Sequence, residues 1–271
     1  MIENQLTNLK FEFVTFESLE NYDPNQNYLK LMREISTGVI ESRDTKEQIY
    51  FIRELRRMRK YQTDLFEAVF GNILPYFLEN LMKNSKIEIC YNSLILVTEI
   101  FSFFKLGSIN TWIEELLPIT VKFSTSKFGI IQKQSLIALY NLANNMVFDS
   151  TVTVLHEIIY ENEELESENA LETLLLFIKS NEETYLLNIL DWSYPCEILF
   201  EMLQNCDDKL FERANIILNS LKSKYNSEFS SFLSFCTEEQ RNLFEKSMNA
   251  YHFTEKNNEL EDLVKPLILG L

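Results

Sequence analysis

The sequence predicts an all-α fold, an α-solenoid of about six helical repeats. The first observation behind this is the scarcity of turn formers: the 271 residues contain 5 Gly and 5 Pro, well below average usage of roughly 7% and 5%. That composition disfavours turn-rich β-sandwiches and leaves long helices joined by short turns. The second observation is an internal repeat of an amphipathic helix, and the third is the length of its period.

Two helical segments superpose at a single offset. Residues 93–100 and 135–142 share the order small, four apolar, two polar, apolar, and they begin 42 residues apart. Equivalent apolar positions continue along the chain at Met58, Ile100, Leu142, Ile178 and Leu221. The steps between these positions are 42, 42, 36 and 43 residues. Periods of about 40 to 47 residues are typical of armadillo and HEAT repeats.

The helices are predicted in pairs. In chain order, the pairs are 28–40 with 45–60, 64–82 with 86–104, 110–124 with 129–145, 150–160 with 167–180, 193–204 with 208–224, and 228–236 with 238–250. Pro75 and Pro118 are expected in the opening turn of a short apolar helix, where proline is tolerated. Because one pair cannot bury its apolar face alone, stacked pairs should form a superhelix with a concave and a convex face. The last helix of each repeat is expected to line the concave side.

The two ends of the chain differ from the repeats and set the predicted domain bounds. Residues 1–27 carry phenylalanines among acids and are predicted to be an N-terminal capping segment that packs on the first repeat. The armadillo/HEAT-like solenoid is predicted over residues 28–252. Residues 253–271 form a C-terminal tail whose apolar part, 263–269, is expected either to fold back as a cap or to be taken by a partner.

Composition narrows the class of partner and compartment. Lys and Arg number 25 and Asp and Glu 41, a net charge of −16, which repels phosphate backbones and anionic lipids, so nucleic acid and membranes are poor partners. Four scattered cysteines without a Cys-x-x-Cys pair are typical of a reduced compartment. We therefore expect an intracellular protein, cytoplasmic or nuclear or both, with a ciliary or cytoskeletal location left open.

Catalytic and metal-binding patterns are missing from the sequence. His156 and His252 are the two histidines, and no set of histidines and cysteines has the spacing of metal ligands. No phosphate-binding glycine loop and no Gly-x-Ser-x-Gly motif occurs. The sequence therefore predicts a non-enzyme with no catalytic residue, no metal site and no cofactor.

Charge is segregated along the chain. Arg53, Arg56, Arg57 and Lys60 are spaced to share one face of a helix, and an acidic run occupies residues 161–168. The simplest interpretation of both is a solvated face. The basic face is also the alternative partner surface, suited to an acidic partner or to contact with the acidic run.

Several motifs between residues 28 and 145 resemble importin-α. The stretch that runs from Met32 to Asp44, with Gln48-Ile49 and 55–58, resembles that family's opening armadillo repeat. Gly-Asn-Ile-Leu-Pro-Tyr-Phe-Leu at 71–78 is similar to the second helix of its repeats. Gln-Ser-Leu-Ile-Ala-Leu-Tyr-Asn-Leu-Ala at 134–143 is similar to the third-helix motif Gln-Ala-Val-Trp-Ala-Leu-x-Asn-Ile-Ala.

The resemblance implies a peptide-binding groove. In importin-α the third helix projects a tryptophan and, four residues on, an asparagine; the asparagines hold an extended peptide backbone while tryptophans and nearby acids hold its lysines. Here the tryptophan positions are Ile95 and Ile137. The resemblance thus implies a non-enzymatic adaptor that binds an extended, basic segment of a partner protein in its concave groove. The residues expected to contact that segment are Glu99, Asn141, Asn145, Asn92 and Gln134.

Two alternatives remain open. One is a constitutive scaffold subunit of a larger multiprotein complex, held through flat contacts of the convex face, the basic helix or the tail. The other rests on a weaker resemblance to TOG domains, the six-HEAT tubulin binders, and implies a tubulin-associated protein of a cytoskeletal or ciliary assembly. The TOG resemblance is carried by residues 44–48, 55–57, 117–118 and 126–128, and that family has a tryptophan where Thr45 stands.

Overall fold

A computed structural model describes residues 14–102, 109–145, 148–161 and 226–250, together with isolated positions between 169 and 222. Every regular element in these ranges is helical, so the all-α class is confirmed there. The helices are α1 (Tyr28–Glu41), α2 (Thr45–Tyr61), α3 (Thr63–Phe77) with a following π-helical turn (Leu78–Met82), α4 (Ile87–Phe101), α5 (Ile109–Ser124), α6 (Gly129–Asn145), α7 (Phe148–Glu161), α8 (Asn226–Phe235) and α9 (Glu238–Ala250).

The helix bounds agree with the predicted ones to within a few residues wherever both are defined. The predicted helices 167–180, 193–204 and 208–224 lie outside the continuous described ranges, and so does the tail at 253–271. Of the repeat positions, Met58, Ile100 and Leu142 are each fully buried, while the other two fall outside the described residues. None of the described helices combines the length and the apolar character needed to cross a lipid bilayer.

The chain divides into two compact units, residues 1–141 and 142–271, and the division falls inside α6. The described part of the predicted capping segment, 14–27, belongs to the first unit.

Side-chain caps fix where the first two helices begin. Asn27 Oδ1 accepts a hydrogen bond from the backbone N–H of Lys30 at 3.0 Å. Asp44 Oδ1 accepts from the N–H groups of Lys46 and Glu47 at 2.9 and 3.1 Å. Such side chains satisfy amide groups that have no partner in the first turn of a helix, and each is worth about 1 kcal/mol.

The helices of the first unit lie in two layers. α1 packs on α2 and α3, α2 also packs on α3 and α4, and α4 contacts α5. The centre of the Trp112 ring on α5 lies 6.0 Å from the centre of the Phe66 ring and 4.9 Å from that of the Phe70 ring, both on α3. Gln134 Nε2 on α6 donates to Thr98 Oγ1 on α4 at 2.7 Å. The first layer therefore runs α1, α3, α5, and the second runs α2, α4, α6.

Pro75 and Pro118 do not lie in the opening turn of a helix, where they were predicted. Pro75 lies inside α3 and Pro118 inside α5, and neither begins a helix. A proline in a helix interior removes one backbone hydrogen bond and costs about 3 kcal/mol. Phe66, Phe70 and Phe77 on α3 are fully buried, and we attribute the continuity of the helix through Pro75 to this burial.

Two mid-helix glycines should respond oppositely to alanine. A Cβ at Gly38 in α1 would lie 2.1 Å from ring atoms of Phe51, whereas a Cβ at Gly71 in α3 would meet only Trp112 Nε1, at 3.6 Å. Gly71→Ala should stabilise the protein by about 0.5–1 kcal/mol through helix propensity. Gly38→Ala should cost about 1 kcal/mol net, because overpacking outweighs the same gain. Paired urea titrations of the two variants and the wild type measure this, and equal shifts would contradict it.

In the second unit, a reciprocal cap forms at the start of α9. Thr237 N–H donates to Gln240 Oε1 at 2.9 Å, and Gln240 N–H donates to Thr237 Oγ1 at 3.2 Å, which is a capping box. Ser247 Oγ on α9 donates to Oδ1 of the buried Asn215 at 2.6 Å. The cap fixes the start of α9, and the buried bond ties it to a helical residue earlier in the chain.

Candidate functional site

The charged face of α2 is built around a segment of the chain's own backbone. We call residues 14–22, which precede α1, the N-terminal segment. Lys60 on α2 donates from Nζ to the carbonyl oxygens of Phe16, Glu17 and Leu19 at 2.8, 2.9 and 3.0 Å. Tyr61 OH donates to the same Leu19 carbonyl at 2.6 Å. One ammonium group thus binds three carbonyls that lie outside any helix or strand, and the Phe16 carbonyl also accepts from the Leu19 N–H at 3.3 Å.

Arg57 holds the second half of the N-terminal segment. Its Nε and Nη2 donate to the carbonyl oxygens of Glu20 and Asn21, both at 2.8 Å. Its guanidinium carbon lies 4.1 Å from the centre of the Tyr22 ring, which is cation–π distance. Tyr22 OH donates in turn to the Glu54 carbonyl at 3.3 Å. The polar contacts of Arg57 with this segment are to main-chain oxygens, and its cation–π contact is to the Tyr22 side chain, so backbone and aromatic side chain together hold the segment on α2.

A buried ion pair links α2 to α4. Arg56 Nε and Nη2 donate to Glu99 Oε1 at 2.9 and 2.6 Å, and the two side chains are 2% and 11% exposed. Burial raises the pKa of the Glu99 carboxyl, while the Arg56 hydrogen bonds and charge act against that shift. The second carboxylate oxygen, Oε2, is buried without a hydrogen-bond partner among the described residues.

A second buried guanidinium lies nearby. Arg59 is 3% exposed, its charge lowers the pKa of Glu99, and burial lowers its own pKa to about 10. The guanidinium lies 5.1 Å from the centre of the Phe16 ring. The N-terminal segment therefore covers the same face on which the ion pair is formed.

These contacts correct the predicted basic surface. Of its four cations, Arg56 is buried, and Arg57 and Lys60 are half-buried and engaged with the N-terminal segment. Arg53 alone among the four is exposed. Three of these cations lie on the side of α2 that packs against the N-terminal segment or α4, where main-chain carbonyls and Glu99 accept their hydrogen bonds, and Arg53 lies outside that side. The aromatic residues of the segment, Phe16 and Tyr22, were the available signal for this.

The predicted partner-contacting residues do not form one continuous exposed row. Glu99 is bound to Arg56, which makes its predicted contact with a partner's cation an internal one. Asn92 is 6% exposed and donates from Nδ2 to the Glu88 carbonyl of its own helix at 2.8 Å. Gln134 bridges to α4 through Thr98. The remaining two, Asn141 and Asn145, are half-buried one turn apart on α6, and both make further interactions.

Titratable groups in the described part of the chain do not converge on a metal site. No three His, Cys, Asp or Glu residues within those ranges are placed to hold an ion. The side chain of His156 and the acidic run beyond residue 161 lie outside the described side chains.

Comparison with known proteins identifies no family. No protein-family model matches the chain, and no curated protein matches it either. Two engineered proteins solved by the Northeast Structural Genomics Consortium superpose on much of it. One covers 83% of this chain and 98% of its own at 15% identity with a TM-score of 0.38. The other covers 82% and 98% at 15% identity with a TM-score of 0.36. Scores this low do not establish a shared fold, so the importin-α and TOG resemblances stay predictions.

Proposed function

We propose that this protein is a non-enzymatic protein-interaction module, an α-solenoid of about six armadillo- or HEAT-like repeats that binds an extended, basic segment of a partner. The repeat proposal is supported by the layered helix pairs of the first unit and by the buried positions Met58, Ile100 and Leu142 at 42-residue intervals. Stacked pairs of this kind offer long surfaces to other proteins.

One observation carries the binding proposal. The second layer already holds a non-helical stretch of chain, because Arg57, Lys60 and Tyr61 donate to its backbone carbonyls. Recognition of main-chain groups by side chains that project from a helix is the chemistry that an extended peptide requires. The side of α2 that carries Arg57, Lys60 and Tyr61 is filled by the chain itself, so a partner must bind at another surface of the module. The net charge of −16 favours a basic partner.

The proposal is tested with a defined probe. We expect a fluorescein-labelled 12-residue peptide of alternating lysine and serine to bind the full chain at physiological salt, where attraction between exposed charges more than about 8 Å apart is largely screened. The matched peptide of alternating glutamate and serine should not bind. Anisotropy titrations measure both. Absence of lysine-peptide binding, or equal binding of the two peptides, would rule out a basic partner segment.

One edge of the first unit favours a second candidate, the scaffold subunit of a larger assembly. The loops within its helix pairs carry Arg43, Lys83, Lys86 and Lys127, so each loop presents a cation. Lys86 Nζ donates to Thr45 Oγ1, which links the loop before α4 to the first residue of α2. Such an edge suits an acidic partner, tubulin included, and part of the TOG resemblance falls on these loops.

Microtubule pelleting separates the two candidates. The scaffold candidate in its tubulin-binding form predicts co-sedimentation that is lost when Arg43 and Lys127 are replaced by glutamate. The adaptor candidate predicts no co-sedimentation. An acidic polymer repels a chain of charge −16 unless a specific contact offsets the repulsion.

A further inference from the structure

The first unit carries an open cavity between α1 and α2, away from the residues that hold the N-terminal segment. Its volume is about 690 Å³, within the roughly 300–1,000 Å³ typical of ligand pockets. Gly38, Tyr50 and Phe51 are among its lining residues. The absence of a side chain at Gly38 leaves the space that the Phe51 ring fills. The Tyr50 ring meets Phe51 edge to face at 5.3 Å and remains 50% exposed.

The charged residues that line the cavity are mostly acidic. Glu34, Glu41 and Glu47 contribute three carboxylates against the single guanidinium of Arg33, a net charge of −2, and all four residues are exposed. Glu47 accepts a hydrogen bond from Ser42 Oγ at 2.8 Å. Oε1 of Glu34 lies 3.7 Å from Nζ of Lys30, and both side chains are exposed. Ion pairs between exposed side chains are weak. The carboxylates are thus largely available to an incoming cation.

We propose that this cavity is the docking site for a lysine or arginine side chain of the basic partner segment. A lysine or arginine side chain carries a cation on an apolar stem. The carboxylates and the ring face attract the cation, and the stem packs on the ring. The occupant is argued from charge complementarity, because the net charge of −2 opposes an anion or an acidic segment. This inference rests on the proposed function and assigns its partner a site outside the predicted concave residues.

The decisive experiment compares two triple variants of equal charge change with the lysine–serine peptide as probe. Glu34→Gln/Glu41→Gln/Glu47→Gln removes the cavity carboxylates. Glu114→Gln/Glu115→Gln/Glu245→Gln removes three exposed carboxylates elsewhere. The cavity variant should raise the Kd of the peptide about tenfold or more, because three weak ion pairs are lost. The control variant should raise it less than about threefold, through the change in net charge alone.

A second pair of variants isolates the aromatic contribution. Tyr50→Ala should raise the Kd by about two- to fivefold, the expectation for an exposed cation–π contact. Tyr76→Ala, which removes a tyrosine that is 46% exposed on α3, should leave it unchanged. Carbodiimide coupling of the bound peptide should also join its amines to the cavity glutamates in preference to the control glutamates.

Each failure has its own meaning. Equal weakening by the two triple variants, with the peptide still bound by the wild type, overturns the cavity as the site and leaves the proposed function standing. No peptide binding to the wild type overturns both. A cavity variant that alters the sedimentation mass of the protein without altering peptide affinity identifies a second copy of the chain as the occupant, which also overturns the proposal.

Discussion

Replacing Glu99 with leucine should lower the free energy of unfolding of the first unit by about 3–5 kcal/mol, the usual cost of removing one partner of a buried ion pair. Arg56 is 2% exposed and would lose the acceptor of two hydrogen bonds, at 2.9 and 2.6 Å. The loss should be the largest of any single change considered for this protein.

Trp112 provides the measurement. Its side chain is 3% exposed against the aromatic residues of α3, so its fluorescence reports on the first unit. The second tryptophan, Trp192, can be replaced by phenylalanine in the background of all variants. Urea titrations then give the free energy of unfolding. A loss below about 1 kcal/mol for Glu99→Leu would contradict the prediction.

Two control variants separate the charge of Glu99 from its role as acceptor. Arg56→Met/Glu99→Leu should recover most of the lost stability, because replacing a buried pair by apolar side chains is often neutral. Glu99→Gln keeps an acceptor for Arg56 and should cost much less than leucine. Equal costs of the leucine and glutamine variants would show that the negative charge, and not the acceptor, is what the fold requires.

The pH dependence of the glutamine variant follows from the raised pKa of Glu99, which burial causes. A carboxyl whose pKa is higher in the folded state holds its proton there to higher pH than in the unfolded chain. Its stabilising contribution is therefore present below the ordinary pKa of glutamate, about 4.3, and is lost as the pH rises through the raised pKa. As the pH rises from about 4 to neutrality, the free energy of unfolding of the wild type should fall relative to that of Glu99→Gln.

The second large effect is expected at Lys60. Lys60→Met keeps the apolar stem and removes the ammonium that donates to the carbonyls of Phe16, Glu17 and Leu19. Hydrogen bonds to a charged group contribute about 1.5–3 kcal/mol, and we expect about 2 kcal/mol for the half-buried side chain. Opening of the N-terminal segment should become about thirtyfold more frequent. Cleavage by a glutamate-specific protease after the exposed Glu17 and Glu20 measures this opening.

Arg53→Met is the matched control. Arg53 lies on the same helix, is exposed, and does not bond to the N-terminal segment. The cleavage rate at Glu17 should not change in this variant. If Lys60→Met and Arg53→Met were cleaved at the same rate as the wild type, the carbonyl contacts would not be what holds the segment on α2.

Local chemistry accounts for what could be predicted about the helices. Helix periodicity involves residues within a few positions of one another, and glycine is scarce along the chain, so the bounds of α1 to α6 follow from the sequence. The repeat at 42 residues also predicted that Met58, Ile100 and Leu142 are buried. The placement of Pro75 and Pro118 was wrong because the cost of an interior proline is offset by burial against other helices.

The candidate site could be predicted only in part. The sequence showed that α2 carries several cations and that position 99 carries an acid. The spacing of the cations predicted that they share one face of α2. The sequence did not show that Arg56 and Glu99, 43 residues apart, are partners. The cavity lined by Glu41 and Tyr50 was missed altogether, because it exists only where α1 lies against α2.

The sequence by itself determined the helical class, the approximate bounds of the described helices and the charges that the protein can offer. Only the tertiary structure decided which charges face inward, since the cost of burying a charge depends on the acceptors that other segments bring to it. Lys60 and Arg57 meet carbonyls of a segment more than thirty residues earlier, and Glu99 meets a guanidinium from another helix pair. Those encounters are set by packing geometry, which no local pattern contains.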